Sequence, residues 1–462
     1  MAQTQTGERK ISVWDIAAFA APAAPLLALS LPTIIFVPQY FASHLGIPLV
    51  TVSLIFFCVR LADIVIDPSI GSIQDRTEHP WGRRRFWLSV SCPPLMALIW
   101  LIFIGLWPGV PVAIAAIAVF LLYSVYASMM LAHLGWAGEL IPTYHGRTRV
   151  LGAVQLASAV GQVSMLAIAA YVAQTHEGAG RDAAAVAAMG WSMIFMLPIA
   201  TLLAVAIVPE AKRPPQEHLT LSQTIKTLLQ SKAAQRVLLP DFLLGIAQGV
   251  SGSLFLYYFQ QVLGFERESQ TLLAIYFCSA LLGVPIWWLA AQRWGKHRAL
   301  QGALLYTAAT TAVLMVIPAH EFALAAPFMV AGGMANGGGV LLTRTLMADV
   351  VDEDELTTGT RRSGLFFGLL LTTSKFGVAS GPLALGILGL AGFNAAAGAQ
   401  NGESALLALT IMFIGVPIVL CILAALTLRN YPLDAKRQAE LHAAIEARHA
   451  ANSENTLGPS TK

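Results

Sequence analysis

Charge is what this chain has least of. Asp, Glu, Lys and Arg make up 11% of its 462 residues, where a soluble domain carries about a quarter. Hydrophobic residues make up 56%, and the mean hydropathy is +0.67. That balance excludes an ordinary soluble domain and predicts a polytopic membrane protein. Cysteine is nearly absent: Cys58, Cys92, Cys278 and Cys421 all fall in apolar runs, where a thiol acts as a small hydrophobe, so no disulfide framework follows. The ten histidines form no His/Cys cluster at metal-ligand spacing. A phosphate-binding Gly-rich loop beside a strand and a nucleophile elbow are also missing. No catalytic residue, resident cofactor, structural metal or nucleic-acid partner is expected. Residues 1–11 are polar with Arg9 and Lys10, and the apolar run after them is too long and lacks a small-residue cleavage site, so no cleavable leader is expected either.

What is present is a series of long apolar runs. A spanning helix needs roughly twenty apolar residues, and twelve segments qualify, near 14–43, 48–73, 86–107, 110–140, 148–174, 187–208, 236–263, 268–291, 297–318, 321–347, 363–391 and 403–428. The fold class predicted is an all-α membrane protein with twelve transmembrane helices in two six-helix bundles. Pro22, Pro25, Pro32 and Pro38 predict a kinked first helix. Arginines and lysines gather in the loops of one side, and the opposite loops offer only Arg181 and Arg267. By the positive-inside rule both termini are expected in the cytoplasm. The domain boundaries read as 1–208 for the first bundle, 209–235 for a cytoplasmic linker, 236–428 for the second bundle and 429–462 for a cytoplasmic tail. Within the linker, LTLSQTIKTLLQSK has the pattern of an amphipathic helix at the membrane surface.

The halves echo one another. P…DRTEHPWGRRR at 68–85 parallels P…QRWGKHR at 285–298, and GELIPTYHGRTR at 138–149 parallels ADVVDEDELTTGTRR at 348–362. Two repeated bundles with a binding site between them is transporter architecture. One feature breaks the repeat. Arg60, Asp63 and Asp67 share a helix face in the second span, whereas Ala280 and Val284 stand opposite the aspartates in the second half. Charged groups are expensive in hydrocarbon, so this face should point into protein or a wet cavity. Two carboxylates one turn apart repel, which makes a proton or Na⁺ a welcome bridge. The bland alternative is a static network in which basic residues neutralise the pair for packing.

Gly71, Asp75, Arg76, Gly82, Arg83, Arg84 and Arg85 spell G-x-x-x-D-R followed by G-R-R-R, which resembles the cytoplasmic signature of the major facilitator superfamily. Gly71 is expected to let a neighbouring helix approach, and Asp75 to pair with an arginine and accept from a helix N-terminus. The whole is expected to form a cytoplasmic gate with Glu139, Arg147, Arg149, Asp349, Asp352, Arg361 and Arg362; the bland reading is positive-inside decoration. The longer pattern D-x-x-x-D-P-x-x-G-x-x-x-D-R-T…W-G-R-R-R, with LYYFQQVLG at 256–264, ADVVDEDELTTGTRRSGLFFG at 348–368 and KFGVASGPLALGILGLAGF at 375–393, resembles the glycoside–pentoside–hexuronide cation symporters, the melibiose permease family. The resemblance implies a cation-coupled symporter, by default of a sugar or glycoside, in a bacterial inner membrane and monomeric. It implies coupling-cation binding by Asp63 and Asp67, tuned by Arg60 and by Lys375, which matches the family's lysine on the eleventh helix.

The chain departs from that family where sugar is held. Leu27, Met130 and Gln155 stand where the melibiose permease has two acidic residues and an arginine, a charge-balanced replacement by a more apolar lining. Ala127, with Ser128 beside it, takes the place of a hydroxyl that assists cation binding there, which tilts the expectation towards H⁺, a cation needing no full oxygen shell. Further polar or aromatic candidates for the substrate cavity are His133, Trp136, Gln162, Asp241, Gln248 and Asn336; each alone is as well read as bonding between helices. Gly332, Gly333, Gly337, Gly338 and Gly339 are read as close helix packing, and Arg344 as a partner for Asp349 or Asp352. Symport of an amphipathic or lipid-like solute, proton-coupled drug export and a non-transporting scaffold or sensor stay open as alternatives.

Overall fold

A computed structural model describes residues 12–140, 144–176, 180–210, 231–358, 362–396, 399–429, 431–433, 437, 438, 440, 441 and 444. The linker helix read in 209–235, Arg361, the side chains of Glu139 and Arg147, and most of the tail lie outside the described residues. The chain divides into two compact units, 1–216 with 394–400, and 217–393 with 401–462.

The first unit is built from α1 (Val13–Ser43), α2 (Leu49–Arg76), α3 (Arg83–Gly105), α4 (Val112–Leu140), α5 (Tyr144–Thr175) and α6 (Arg181–Ile207). The second holds α7 (Lys232–Gln261), α8 (Ser269–Trp294), α9 (Lys296–Val316), α10 (Phe322–Thr358), α11 in two pieces (Ser363–Val378 and Ser380–Leu390) and α12 (Glu403–Thr427). Among the described residues, ten helices are long and apolar enough to cross a membrane, eleven counting the bent α2 as one span. The pieces of α11, 16 and 11 residues long and broken at Ala379, are each too short alone.

Local chemistry explains where the helices start and bend. α1 opens on a capping box: Asp15 N donates to Ser12 Oγ at 3.1 Å and Ser12 N to Asp15 Oδ2 at 2.8 Å, satisfying two end donors reciprocally. Its prolines then interrupt it as expected, with a turn at residues 21–22 and a wide π-type turn over Pro32–Phe36, because proline supplies no N–H to the preceding turn. At 37 residues α10 is about 55 Å long, far more than the roughly 30 Å hydrocarbon core, so the acidic run from Asp349 onward projects past the apolar layer.

The repeat extends to backbone geometry. Gly82 caps α3 at φ 101° and ψ 145°, and Gly295 caps α9 at φ 84° and ψ 151°, a conformation open to glycine at little cost. The glycines of α10 pack as expected: a Cβ at Gly333 would fall 2.1 Å from the Tyr276 carbonyl oxygen, and one at Gly337 would fall 2.1 Å from that of Ala280, both on α8.

Candidate ion-binding site

α2 carries charge into the first unit. Pro68, inside the helix, cannot donate to the carbonyl of Ile64 four residues back and clashes with it. The helix bends by 42° between Leu49–Asp63 and Ile66–Arg76. Asp63 and Asp67 therefore stand on either side of the bend, with a carbonyl deprived of its helical donor between them in sequence. α8 has Pro285 in the matching place and neither aspartate; it runs as one span.

Arg60 is shared between the acidic pair and α4. Its Nη1 lies 3.7 Å from Asp63 Oδ2, its Nη2 donates to Tyr123 Oη at 3.3 Å, and its guanidinium sits 4.5 Å from the centre of the Tyr123 ring. A hydrogen-bonded guanidinium–carboxylate pair closes to about 2.7–2.9 Å, so Arg60 offsets the charge of Asp63 while the tyrosine holds it at a distance. Phe56 packs edge-on against Tyr123 at 6.5 Å, and Tyr126 lies within electrostatic reach of Arg60, Asp63 and Asp67. The Oδ1 atoms of both aspartates are shut away from solvent. Formally the three charged residues sum to one negative charge. Carboxylates, a backbone carbonyl and phenolic oxygens are hard donors, suited to H⁺ or Na⁺ and not to a soft metal.

Residues 18–435 match the model of the MFS/sugar transport protein family. The chain belongs to that family. It is 22% identical to the sodium-dependent lysophosphatidylcholine symporter 1-A of Danio rerio over 94% of this chain and 88% of the relative. It is 23% identical to the isoprimeverose transporter of Lactiplantibacillus pentosus, over 92% and 88% respectively. Among solved structures it resembles a bacterial homologue of the human lysosomal transporter Spinster, with a TM-score of 0.66 at 12% identity, covering 94% of this chain and 99% of that one. The protein is thus an integral membrane protein and a cation-coupled secondary transporter, not an enzyme.

Within this MFS sugar-transport chain, the residues read as substrate contacts fall in different surroundings. Leu27 and Met130 are half-buried and Gln155 is exposed; the Gln162 amide donates to the Leu27 carbonyl at 3.4 Å, tying α5 to α1. His133 and Trp136, expected at a cavity, are instead packed inside the bundle. His133 is 1% exposed, its Nε2 lies 2.8 Å from the Phe19 carbonyl oxygen, and its ring stacks on Phe19 at 4.6 Å. Trp136 is fully buried, edge-on to the same phenylalanine. The bundle interior needs large apolar rings, and α1 supplies a carbonyl for the one imidazole nitrogen. In the second unit the Gln248 amide donates to Asn336 Oδ1 at 2.9 Å, and both line a small cavity of about 70 Å³ with Tyr276, Thr307 and Thr311. Asp241 is buried between α7 and α11. Lys375 is exposed on α11.

The gate residues make partners that spacing alone did not disclose. Arg84 Nη2 meets Asp75 Oδ1 at 2.7 Å, and Arg83 Nη1 donates to the Asp75 carbonyl at 3.4 Å. The N-terminus of α3 is capped by Glu210, not by Asp75: its Oε1 accepts from Arg84 N at 2.8 Å and its Oε2 from Arg85 N at 3.0 Å. Glu210 lies more than 120 residues away, with no pattern to announce it. Gly71 is not a close-approach point, since an added Cβ there would meet nothing within 4 Å; α2 instead grips α4 through Gln74, which donates to the Ser128 carbonyl at 2.7 Å. Ser128 itself is buried, 3.0 Å from Ser91 Oγ. Arg76 and Arg149 are exposed and Asp352 is half-buried. In the second unit Asp349 is held by Lys296 at 2.7 Å and by the Gln438 amide at 2.5 Å, not by Arg344, which is exposed on its helix. Arg362 grips Asp354 at two points, one of them Nε to Oδ2 at 2.8 Å.

Proposed function

We propose that the coupling cation, H⁺ or Na⁺, binds at Asp63 and Asp67, and that its arrival completes the charge of the Arg60–Asp63–Asp67 face. The observation that carries this reading is the bend of α2 between the two aspartates, which brings hard oxygen donors to a place the second half lacks. With the site empty, Arg60 offsets part of the carboxylates' charge. With a cation in place the neutralised site is free to cross with its solute, and the cation-loaded state favours solute binding by population shift. The Asp75–Arg84 and Asp354–Arg362 pairs are the gate, on the side read as cytoplasmic from the basic loops. A bacterial inner membrane and a monomeric chain fit this reading.

The solute is a small organic molecule of the sugar or glycoside class, the kind named for the isoprimeverose transporter. A second reading, an amphipathic lipid-like solute, is favoured by the apolar Leu27 and Met130 and by the lysophosphatidylcholine symporter relatives. One assay tests both. Proteoliposomes loaded with a pH or Na⁺ reporter are challenged in turn with a glycoside panel and with short-chain lysophospholipids. A solute-driven cation influx, lost in Asp63→Asn and Asp67→Asn, is the expected result. Solute uptake that proceeds unchanged in both variants contradicts the proposal.

A further inference from the structure

The acidic pair of α2 is not the only carboxylate inside a span. Asp241, nine residues and about 14 Å into α7, is 7% exposed. Its Oδ2 accepts from Ser374 Oγ at 2.6 Å and from Thr373 Oγ1 at 3.2 Å, both on α11. The Thr343 hydroxyl of α10 lies nearby, donating to the Gly339 and Val340 carbonyls at 3.1 and 3.3 Å, and the Arg344 guanidinium acts on Asp241 through space. The direct partners are therefore all neutral hydroxyls. Of the charged groups on the surrounding helices, α7 itself carries Lys232 and Arg236 near its start; α10 supplies Arg344 and, farther along, Asp349, Asp352, Glu353, Asp354 and Glu355; α11 supplies Lys375 on its exposed side; α8 offers only Arg293 at its end, and the stretches 380–390 and 411–427 none.

The setting is tight. A Cβ at Gly377 would fall 2.7 Å from the Phe242 carbonyl oxygen, and one at Gly249 would fall 2.6 Å from that of Val378. Glycine contacts thus press α7 and α11 together from the residue following Asp241 onward. A carboxylate partnered by neutral hydroxyls has no ion in direct contact to offset its charge, which is costly in an apolar span. Those hydroxyls carry lone pairs as well as protons, so rotation turns the three of them towards a cation beside Asp241 as oxygen ligands.

We propose that Asp241, Ser374, Thr373 and Thr343 form a second monovalent-cation site, for H⁺ or Na⁺, separate from Asp63 and Asp67. It joins three helices of the second unit and lies one turn from the break of α11 at Ala379, so its occupancy sets how firmly the first piece of α11, which carries Lys375, is tied to α7. The competing reading is plain interhelical glue, which no cation would perturb.

Infrared difference spectroscopy on the full chain reconstituted in lipid separates the two. The background variant is Asp63→Asn with Asp67→Asn, which clears the first site, and spectra are taken on exchanging choline chloride for NaCl at fixed pH and on stepping pH in choline chloride. The expected result is a carboxyl C=O or carboxylate band that is present in this double variant and lost when Asp241→Asn is added. A band in the NaCl arm assigns Na⁺; a band in the pH arm alone assigns H⁺. If the triple variant does not fold, Ser374→Ala in the double background is expected to move the midpoint of the band several-fold in Na⁺ concentration or in proton activity. Superimposable spectra with and without Asp241→Asn in both arms, or an unmoved midpoint in Ser374→Ala, overturn the proposal. A failure of the α2 site is read separately, as identical spectra for wild type and the double variant.

Discussion

Gly82 and Glu210 are coupled by the structure in a way that a double-mutant cycle reads directly. Gly82→Ala places a Cβ 2.2 Å from Glu210 Oε2. The glutamate is the flexible partner, so it moves, and in moving it releases Arg84 N and Arg85 N. Loss of such a cap costs about 1 kcal/mol, within a range of 0.5–2. The backbone adds its own term, because a φ of 101° with ψ 145° is strained for an L-residue by about 1–3 kcal/mol. Gly295→Ala is the control: φ is 84° there, and the nearest atom to the new Cβ, His297 Cε1, is 4.0 Å away. Gly82→Ala is thus expected to destabilise by about 1 kcal/mol more than Gly295→Ala. Glu210→Ala alone is expected to cost about 1 kcal/mol, but almost nothing in the Gly82→Ala background, where the cap is already gone, leaving a coupling energy of about 1 kcal/mol. The assay is unfolding of purified protein, read from intrinsic tryptophan fluorescence. Additive costs for Gly82→Ala and Glu210→Ala would refute the reasoning.

Other outcomes follow from single contacts. Arg362→Ala removes a two-point grip on Asp354; with side chains 28% and 10% exposed, the loss in stability should be about 1–2 kcal/mol after allowance for solvent screening, and Arg362→Lys should restore less than half of it, as measured by thermal unfolding. Gly333→Ala drives a Cβ into the Tyr276 carbonyl, a backbone atom that cannot swing away, and should cost about 3 kcal/mol or more or abolish folding. Gly332→Ala, whose Cβ would sit 3.5 Å from the Tyr276 ring, should be tolerated within about 1 kcal/mol; equal effects at the two glycines would mean that α8 and α10 do not pack as described. Ser12→Ala breaks the capping box of α1 and should cost about 1 kcal/mol, seen as faster amide exchange in its first turn.

Much of the architecture was legible because hydrocarbon is a demanding solvent. Twenty apolar residues have few alternatives to a spanning helix, and the i, i+3, i+7 spacing of Arg60, Asp63 and Asp67 allows no other arrangement on a helix. The repeated Trp-Gly-basic pattern announced two loops, and Gly82 and Gly295 adopt nearly the same dihedrals. What the sequence could not disclose were partners brought together by tertiary packing. Among Asp352, Glu353, Asp354 and Glu355, spacing does not say which meets Arg362. Glu210 sits in an ordinary loop. His133 and Trp136 carry polar atoms on a helix rich in small residues, which resembles a cavity wall until Phe19 of α1 is seen packed against both. Proline interrupted α1 and bent α2 where its missing N–H predicts, yet Pro198, Pro240, Pro285 and Pro327 lie inside helices that run as single spans, because neighbours decide how a freed carbonyl is accommodated.

The claim that Asp63 and Asp67 hold the coupling cation is tested most directly by the cation dependence of thermal stability for wild type, Asp63→Asn and Asp67→Asn, with no solute present. A ligand bound only by the folded state stabilises it by mass action, about 2.7 kcal/mol at a hundred times its dissociation constant. The account predicts a melting temperature that rises with Na⁺, or with acidification if the ion is a proton, and a rise that is lost or sharply reduced in each variant. Wild type and both variants that melt together across Na⁺ concentration and pH would contradict it.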